Sequence, residues 1–99
     1  MNIDQISSYI YNNTGSAIDA EVVNGICPDD TIEVSKRDSR QFLAIGFDPT
    51  DDSFLLGTLW YRHENGDKEA VGEASCWNID GEEDYATLDE ICEYAGKAL

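Results

Sequence analysis

The stretch that decides the fold is residues 53–79, SFLLGTLWYRHENGDKEAVGEASCWNI. Its first part, Ser53 to His63, is the strongest strand signal in the chain, because it is rich in leucine and aromatic residues. The pair Asn65-Gly66 follows, and this pair is preferred in two-residue type I′ hairpin turns. Lys68 to Ile79 is then expected to return as an antiparallel strand.

A two-residue turn also predicts the register of this hairpin. If Glu64 faces Asp67, then Arg62 faces Glu69, a favourable pair of opposite charges. The other expected pairs are Trp60 with Val71, Leu56 with Ser75, Phe54 with Trp77, Leu55 with Cys76, Gly57 with Ala74, Leu59 with Gly72 and Tyr61 with Ala70. In the last four pairs, larger residues generally oppose small ones. Because small residues allow a helix to approach a sheet closely, we expect a helix on that face.

The C-terminal segment supplies the expected helix. Thr87 has the spacing of an N-cap, with Glu90 completing a capping box. Asp89 and Glu90 then lie in the first turn, where the helix dipole favours negative charge. An apolar stripe follows at helical spacing and consists of Leu88, Ile91, Cys92, Ala95, Ala98 and Leu99.

The N-terminal half begins with a second helix. Asn2 to Asn13 carries isoleucines at helical spacing, and Asn2 with Gln5 forms a capping-box pattern. Asn13-Thr14-Gly15 is a plausible end signal. Residues 16–24 favour a further short helix, although Ala20 to Val23 also fits an extended segment.

Two more strands precede the long hairpin. From Thr31 the hydrophobic period changes to two, and Gln41 to Phe47 is a second strand. Arg37 to Arg40 joins them as a tight hairpin. We therefore predict one α+β domain over residues 1–99, with an N-terminal helix (or two), a four-stranded antiparallel sheet and a C-terminal helix packed on one sheet face.

Composition excludes several functions. The 99 residues carry 21 Asp and Glu against six Lys and Arg, which gives a net charge of −15. Such a chain is repelled by nucleic-acid phosphates and by anionic membranes. No apolar run approaches the length of a membrane span, and no signal peptide is visible. We expect a cytoplasmic protein that is a monomer or a homodimer and binds neither nucleic acid nor membrane directly.

Catalytic and metal-binding patterns are missing from the sequence. His63 is the single histidine and is expected at an exposed hairpin tip. Cys27, Cys76 and Cys92 form no CxxC pair, which is typical of reduced thiols rather than of a zinc site. The acidic loops also lack the glycine of a calcium-binding EF-hand loop. We expect a protein that is not an enzyme, with no cofactor and no metal.

The acidic residues are concentrated near the C-terminal helix. Residues 80–93 contain seven acids and no base, and a field of one sign steers a positively charged partner. We call this set the acidic patch: Asp80, Glu82, Glu83, Asp84, Asp89, Glu90 and Glu93. Trp60 and Trp77 are candidate aromatic anchors beside it, or cover for a small core. High solubility or adaptation to salt also explains such acidity without a partner.

In length, acidity and layout the chain resembles the small phage-type inhibitors of host defence, namely anti-CRISPR and anti-restriction proteins. The residues that carry this resemblance are Asp80-Gly81-Glu82-Glu83-Asp84 and Asp89-Glu90. The resemblance implies a stoichiometric inhibitor that occupies the basic groove of a nucleic-acid-binding protein with carboxylates in place of phosphates. The alternative is an immunity protein or antitoxin that neutralises a basic nuclease toxin.

Overall fold

The structure, a computed structural model, describes residues 1–23, 31–72, 74–79 and 84–99. Within these residues lie two helices and six strands, in the order α1 (Ile3–Asn13), β1 (Ile18–Val23), β2 (Thr31–Lys36), β3 (Gln41–Asp48), β4 (Asp51–Arg62), β5 (Lys68–Ala70), β6 (Ser75–Asn78) and α2 (Tyr85–Ala98). The strands form one antiparallel sheet in the order β1-β2-β3-β4-β5, and β6 also pairs with β4. The α+β class and both terminal helices are confirmed, but the described sheet has six strands rather than four.

Helix α1 begins where the sequence predicts. The Asn2 side chain accepts a hydrogen bond from the Gln5 backbone N–H at 2.8 Å, and the Gln5 side chain accepts one from the Asn2 backbone at 2.9 Å. This capping box satisfies two of the N–H groups that a helix start leaves unpaired. Ile6 and Ile10 are fully buried, so the predicted apolar stripe of α1 faces the core.

Strand β1 replaces the second helix that residues 16–24 favoured. It pairs with β2 along its whole length, from Ile18 opposite Lys36 to Val23 opposite Thr31. Asp19 and Glu21 are exposed, whereas the alternate residues Ile18, Ala20 and Val22 pack against the core. The period is therefore two, and the helix expectation is wrong because pairing with β2 outweighs the local cap-like residues. The loop expected at 27–30 lies outside the described residues.

The hairpin between β2 and β3 is confirmed. The Ser39 backbone N–H donates to the Lys36 carbonyl at 3.0 Å, and Asp38 has a φ of 66°, in the left-handed region. Aspartate tolerates this conformation better than most residues. The hairpin places Lys36 beside Arg37 and Arg40 at one end of the sheet.

The turn after β4 is longer than predicted, and the predicted register is wrong. The His63 backbone N–H donates to the Asp67 carbonyl at 2.8 Å, and the Gly66 N–H donates to the His63 carbonyl at 3.0 Å. This geometry is a three-residue loop whose last residue, Gly66, has a φ of 90°. Arg62 consequently pairs with Lys68 instead of Glu69. A shift of one residue moves every side chain of the returning strand to the opposite face.

The returning chain forms two described strands, β5 and β6, instead of the single strand expected over 68–79. Gly72, at a φ of 87°, lies between them. Beyond it, Leu55 pairs with Trp77 and Leu56 with Cys76, whereas the expected partner of Leu55 was Cys76. Trp77 therefore shares the sheet face of the fully buried Leu55.

One hydrophobic cluster joins the helices and the strands. Trp77 packs against this cluster, and its ring makes an edge-to-face contact with Tyr94 of α2, with centroids 5.5 Å apart. Gly57 makes room for the Trp77 ring, because a Cβ atom at Gly57 would lie 2.6 Å from a ring carbon. The buried members of the cluster are Ile6, Ile10, Ile32, Val34, Leu43, Ile45, Leu55, Ile79, Leu88, Ile91, Cys92 and Ala95.

This packing makes Gly57 sensitive to substitution. Gly57→Ala is expected to lower the free energy of unfolding by about 1–3 kcal/mol, because the added methyl group displaces the Trp77 ring. The matched control is Gly96→Ala, since a Cβ atom at Gly96 in α2 meets nothing within 4 Å. This control is expected to raise the free energy by about 0.5–1 kcal/mol through helix propensity. Urea unfolding followed by tryptophan fluorescence measures both, and equal effects would contradict the proposed packing.

Candidate functional site

The start of α2 differs from the prediction. The helix begins at Tyr85, and its N-cap is Asp84. The Asp84 carboxylate accepts hydrogen bonds from the Thr87 backbone N–H at 3.1 Å and from the Thr87 hydroxyl at 2.8 Å. The expected capping box of Thr87 with Glu90 is thus wrong. The same three-residue spacing occurs earlier, between Asp84 and Thr87, so the helix begins about one turn sooner. Asp89 and Glu90 lie beyond the first turn.

Asp89 connects the two helices. Its carboxylate accepts a hydrogen bond from the Tyr9 hydroxyl of α1 at 2.5 Å, and the two residues are eighty positions apart in the chain. This hydrogen bond is the main cause that raises the pKa of Tyr9 to about 12, and partial desolvation adds to it. One oxygen of Asp89 is therefore engaged in a contact between the two helices, although the residue is exposed.

The remaining described members of the acidic patch face solvent. Glu93 forms an ion pair with Lys97 at 3.0 Å, one helical turn away, and both side chains are largely exposed. Such surface pairs contribute little stability, so Glu93 can exchange Lys97 for another cation at small cost. Glu90 is exposed and makes no hydrogen bond or ion pair among the described residues. Asp80, Glu82 and Glu83 lie outside the described residues.

A second group of acids, in the β3–β4 turn, lies at the same end of the sheet. The Ile79 backbone N–H donates to the Ser53 carbonyl at 2.7 Å, and the Thr87 hydroxyl donates to the Asn78 carbonyl at 3.3 Å. These contacts place the start of α2 beside the start of β4, where Asp51 and Asp52 are exposed. The sequence-based site did not include this group, although the predicted hairpin already brings the start of β4 close to the end of the returning strand.

Two of the turn carboxylates also order the turn. Asp51 accepts hydrogen bonds from the Ser53 hydroxyl at 2.6 Å and from the Ser53 backbone N–H at 3.0 Å. These bonds, with the side-chain bond the larger cause, lower the pKa of Asp51 below its ordinary value. Asp48 accepts the equivalent pair from Thr50, at 2.8 and 2.9 Å. Asp51 therefore keeps its negative charge at pH values where an ordinary aspartate becomes protonated.

The basic residues lie at the opposite end of the sheet. The Arg62 backbone N–H donates to the Arg40 carbonyl at 2.8 Å, which joins the two hairpins there. Arg40 pairs with Glu64 at 3.4 Å and Arg62 with Glu33 at 2.7 Å. Five of the six bases belong to these hairpins, namely Lys36, Arg37, Arg40, Arg62 and Lys68.

Trp60 and Trp77, the candidate anchors, lie on opposite sheet faces. Trp60 is half-buried between its strand partners Phe42 and Ala70. Its indole N–H is buried and has no hydrogen-bond partner within the part of the chain that the structure describes, so a partner protein could reach this group only after a rearrangement. Trp77 is on the face of Leu55 and packs against the core, where its contacts support the fold.

The groups that catalysis or metal binding would need are dispersed. The His63 ring lies 3.1 Å from the Glu69 carboxylate at the exposed hairpin. Burial, with the charge of Asp89 second, raises the pKa of the Cys92 thiol to about 11, so this thiol stays protonated at neutral pH. Cys76 is exposed, and Cys27 lies outside the described residues. Across 1–23, 31–72, 74–79 and 84–99, no three His, Cys, Asp or Glu residues converge in a way that could hold a metal ion.

Neither described helix is long and apolar enough to cross a membrane. No family model, curated protein or solved structure matches the chain. The case for a function therefore rests on the charges, contacts and surfaces of this chain alone.

The link between Tyr9 and Asp89 predicts a pH dependence. The raised pKa means that this link stabilises the protein fully below pH 10, the ordinary tyrosine value, and that the contribution disappears as the pH rises through about 12. Asp89→Asn is expected to lower the pKa of Tyr9, because the anionic acceptor is removed.

An ultraviolet titration of the phenolate bands measures this pKa, and Tyr9→Phe serves to assign the Tyr9 contribution by difference. The link is refuted if the difference titration gives the same pKa for Tyr9 with and without the Asp89 carboxylate.

Proposed function

We propose that this protein is a small acidic binding protein that stoichiometrically inhibits a basic nucleic-acid-binding protein, as phage-type inhibitors of host defence do. Its carboxylates occupy the partner's basic groove in place of a phosphate backbone. Exposed acids on α2 and in the β3–β4 turn bind the partner, together with Asp80, Glu82 and Glu83.

The observation that carries this proposal is the separation of charge. Five of the six bases lie in two hairpins at one end of the sheet and offset four acids there, Asp38, Glu64, Asp67 and Glu69, whereas the start of α2 and the β3–β4 turn, at the other end, carry acids without a Lys or Arg. A surface of one sign attracts an oppositely charged partner and orients its approach. Acids required only for solubility would need no such separation.

The fold supports this surface by holding α2 in place. We infer that α2 packs on the sheet face that carries Leu55 and Trp77, since Tyr94 contacts Trp77 and the buried residues of α2 belong to the common cluster. Glu90 then points away from the core on a helix that is anchored at both Asp84 and Asp89. A rigid support reduces the entropy that binding must overcome.

Charge reversal in the acidic patch, leaving out Asp84 and Asp89 because they hold α2 in place, tests the proposal. The variant Glu82→Lys/Glu83→Lys/Glu90→Lys is expected to weaken binding to the captured partner by about tenfold or more, because three attractions become repulsions. The control Glu21→Lys/Glu64→Lys/Glu69→Lys changes the net charge equally but lies in β1 and at the basic end, where it removes only the exposed Arg40–Glu64 and His63–Glu69 contacts. It is expected to bind nearly as the wild type does.

The partner is captured from lysate of the source cell with the wild-type protein, and binding is then measured by calorimetry with purified components. Double-stranded DNA and RNA are added as competitors, and binding is expected to weaken steeply with salt. Mimicry is wrong if the partner binds its nucleic acid and this protein at the same time. A captured nuclease toxin that this protein neutralises would indicate the immunity-protein alternative.

A further inference from the structure

The groove between the two helices contains an aromatic pair that neither the sequence prediction nor the acidic patch includes. Tyr9 of α1 and Tyr85 of α2 stack with ring centroids 5.3 Å apart and planes inclined by 30°. Tyr85 is 48% exposed, so part of its ring is open to solvent. The two rings form one wall of a cavity of about 480 Å³.

The tyrosine faces and the nearby carboxylates of this groove can hold a flat cation. Asp4, Ser8 and Asn12 of α1 line it with the two tyrosines, no Lys or Arg side chain among the described residues does so, and the α-amino group of Met1 is the one positive charge in its described lining. Asp89 does not line the groove, but it follows Tyr85 by four residues on the same helix face and accepts the hydrogen bond of the Tyr9 hydroxyl. Donation to a carboxylate makes the Tyr9 ring richer in electrons, which strengthens its attraction for a cation.

We propose that this groove binds an arginine side chain of the basic partner. This inference rests on the proposed function, because a basic partner is what brings an arginine to the groove. The guanidinium plane stacks on the exposed face of Tyr85, while its N–H groups donate to the second oxygen of Asp89 or to Asp4.

Arginine fits better than the other common ligands. A lysine ammonium ion lacks the flat surface that stacks on Tyr85, and its charge is more strongly hydrated. An apolar side chain would leave the hydroxyl, amide and carboxylate groups of the wall without partners. Tyrosine and arginine are also the residues that most often dominate the energy of protein interfaces.

The test is a titration of the full-length ¹⁵N-labelled protein by NMR with three blocked tripeptides, Gly-Arg-Gly, Gly-Lys-Gly and Gly-citrulline-Gly. The arginine peptide is expected to shift the amide signals of the groove residues and to bind more tightly than the other two. Citrulline has nearly the shape of arginine without its charge. Equal shifts with the citrulline peptide would therefore overturn the proposal.

Variants of Tyr85 separate ring stacking from simple contact. Tyr85→Leu is expected to weaken binding of the arginine peptide about two- to fivefold, the range for an exposed cation–π contact. Tyr85→Phe keeps the ring and is expected to bind the peptide as the wild type does. Tyr11→Leu is the matched control, because Tyr11 is an exposed tyrosine of α1 that does not line this groove. The arginine site is wrong if Tyr85→Leu and Tyr11→Leu bind alike, and circular dichroism checks that each variant is folded.

The same variants distinguish failure of the arginine site from failure of the proposed function. If the wild-type protein and Tyr85→Leu bind a captured basic partner equally, the arginine site is wrong and the inhibitor function stands. If the groove binds the arginine peptide but no nucleic-acid-binding protein competes for this chain, the inhibitor function is wrong and the site stands.

Discussion

The register of the returning chain along β4 is the constraint on which the rest of the structure depends. Strand β4 pairs with β3 on one side and with both β5 and β6 on the other. A three-residue loop sets the register of β5, and the pairing of β6 is shifted from it by two residues. As a result Trp77 faces the core and fills the space above Gly57, next to Tyr94 of α2. A shift of one residue would move Trp77 to the opposite face and separate these contacts.

The start of α2 uses two members of the acidic patch for structural purposes. Asp84 caps the helix, and Asp89 binds the hydroxyl of Tyr9. These contacts hold α2 against α1 while leaving Glu90 exposed to solvent. The acids of this surface therefore divide into those that orient the helix and those that are available to a partner, and a charge-reversal experiment is informative only on the second kind.

The interhelical groove adds a specific element to an otherwise diffuse electrostatic surface. Carboxylates on a surface attract many cationic partners, and salt screens them strongly. The proposed arginine site, at the stacked tyrosine pair beside Asp89, would instead accept a flat cation at a defined place. Long-range attraction would thus bring the partner close, and the groove would select its orientation. Under the proposed function, the two together would allow so small a chain to recognise one basic protein among many.

The sequence by itself determined what depends on neighbours three or four residues apart. The capping box of α1, its buried isoleucines and the apolar stripe of α2 with Leu88, Ile91, Cys92 and Ala95 follow from such local patterns. The concentration of acids in residues 80–93 is likewise a property of the chain order alone. These features also supported the predicted α+β class and the acidic surface.

Only the tertiary structure decided what depends on distant partners. Strand β1 exists because it pairs with β2, and local cap-like residues could not reveal that pairing. The choice between a two- and a three-residue loop at Asn65-Gly66 depends on the strands that flank it, yet it sets the face of every later residue. Tyr9 meets Asp89 across eighty positions of sequence. Contacts across such separations form when packing brings buried faces together, and no local pattern encodes them.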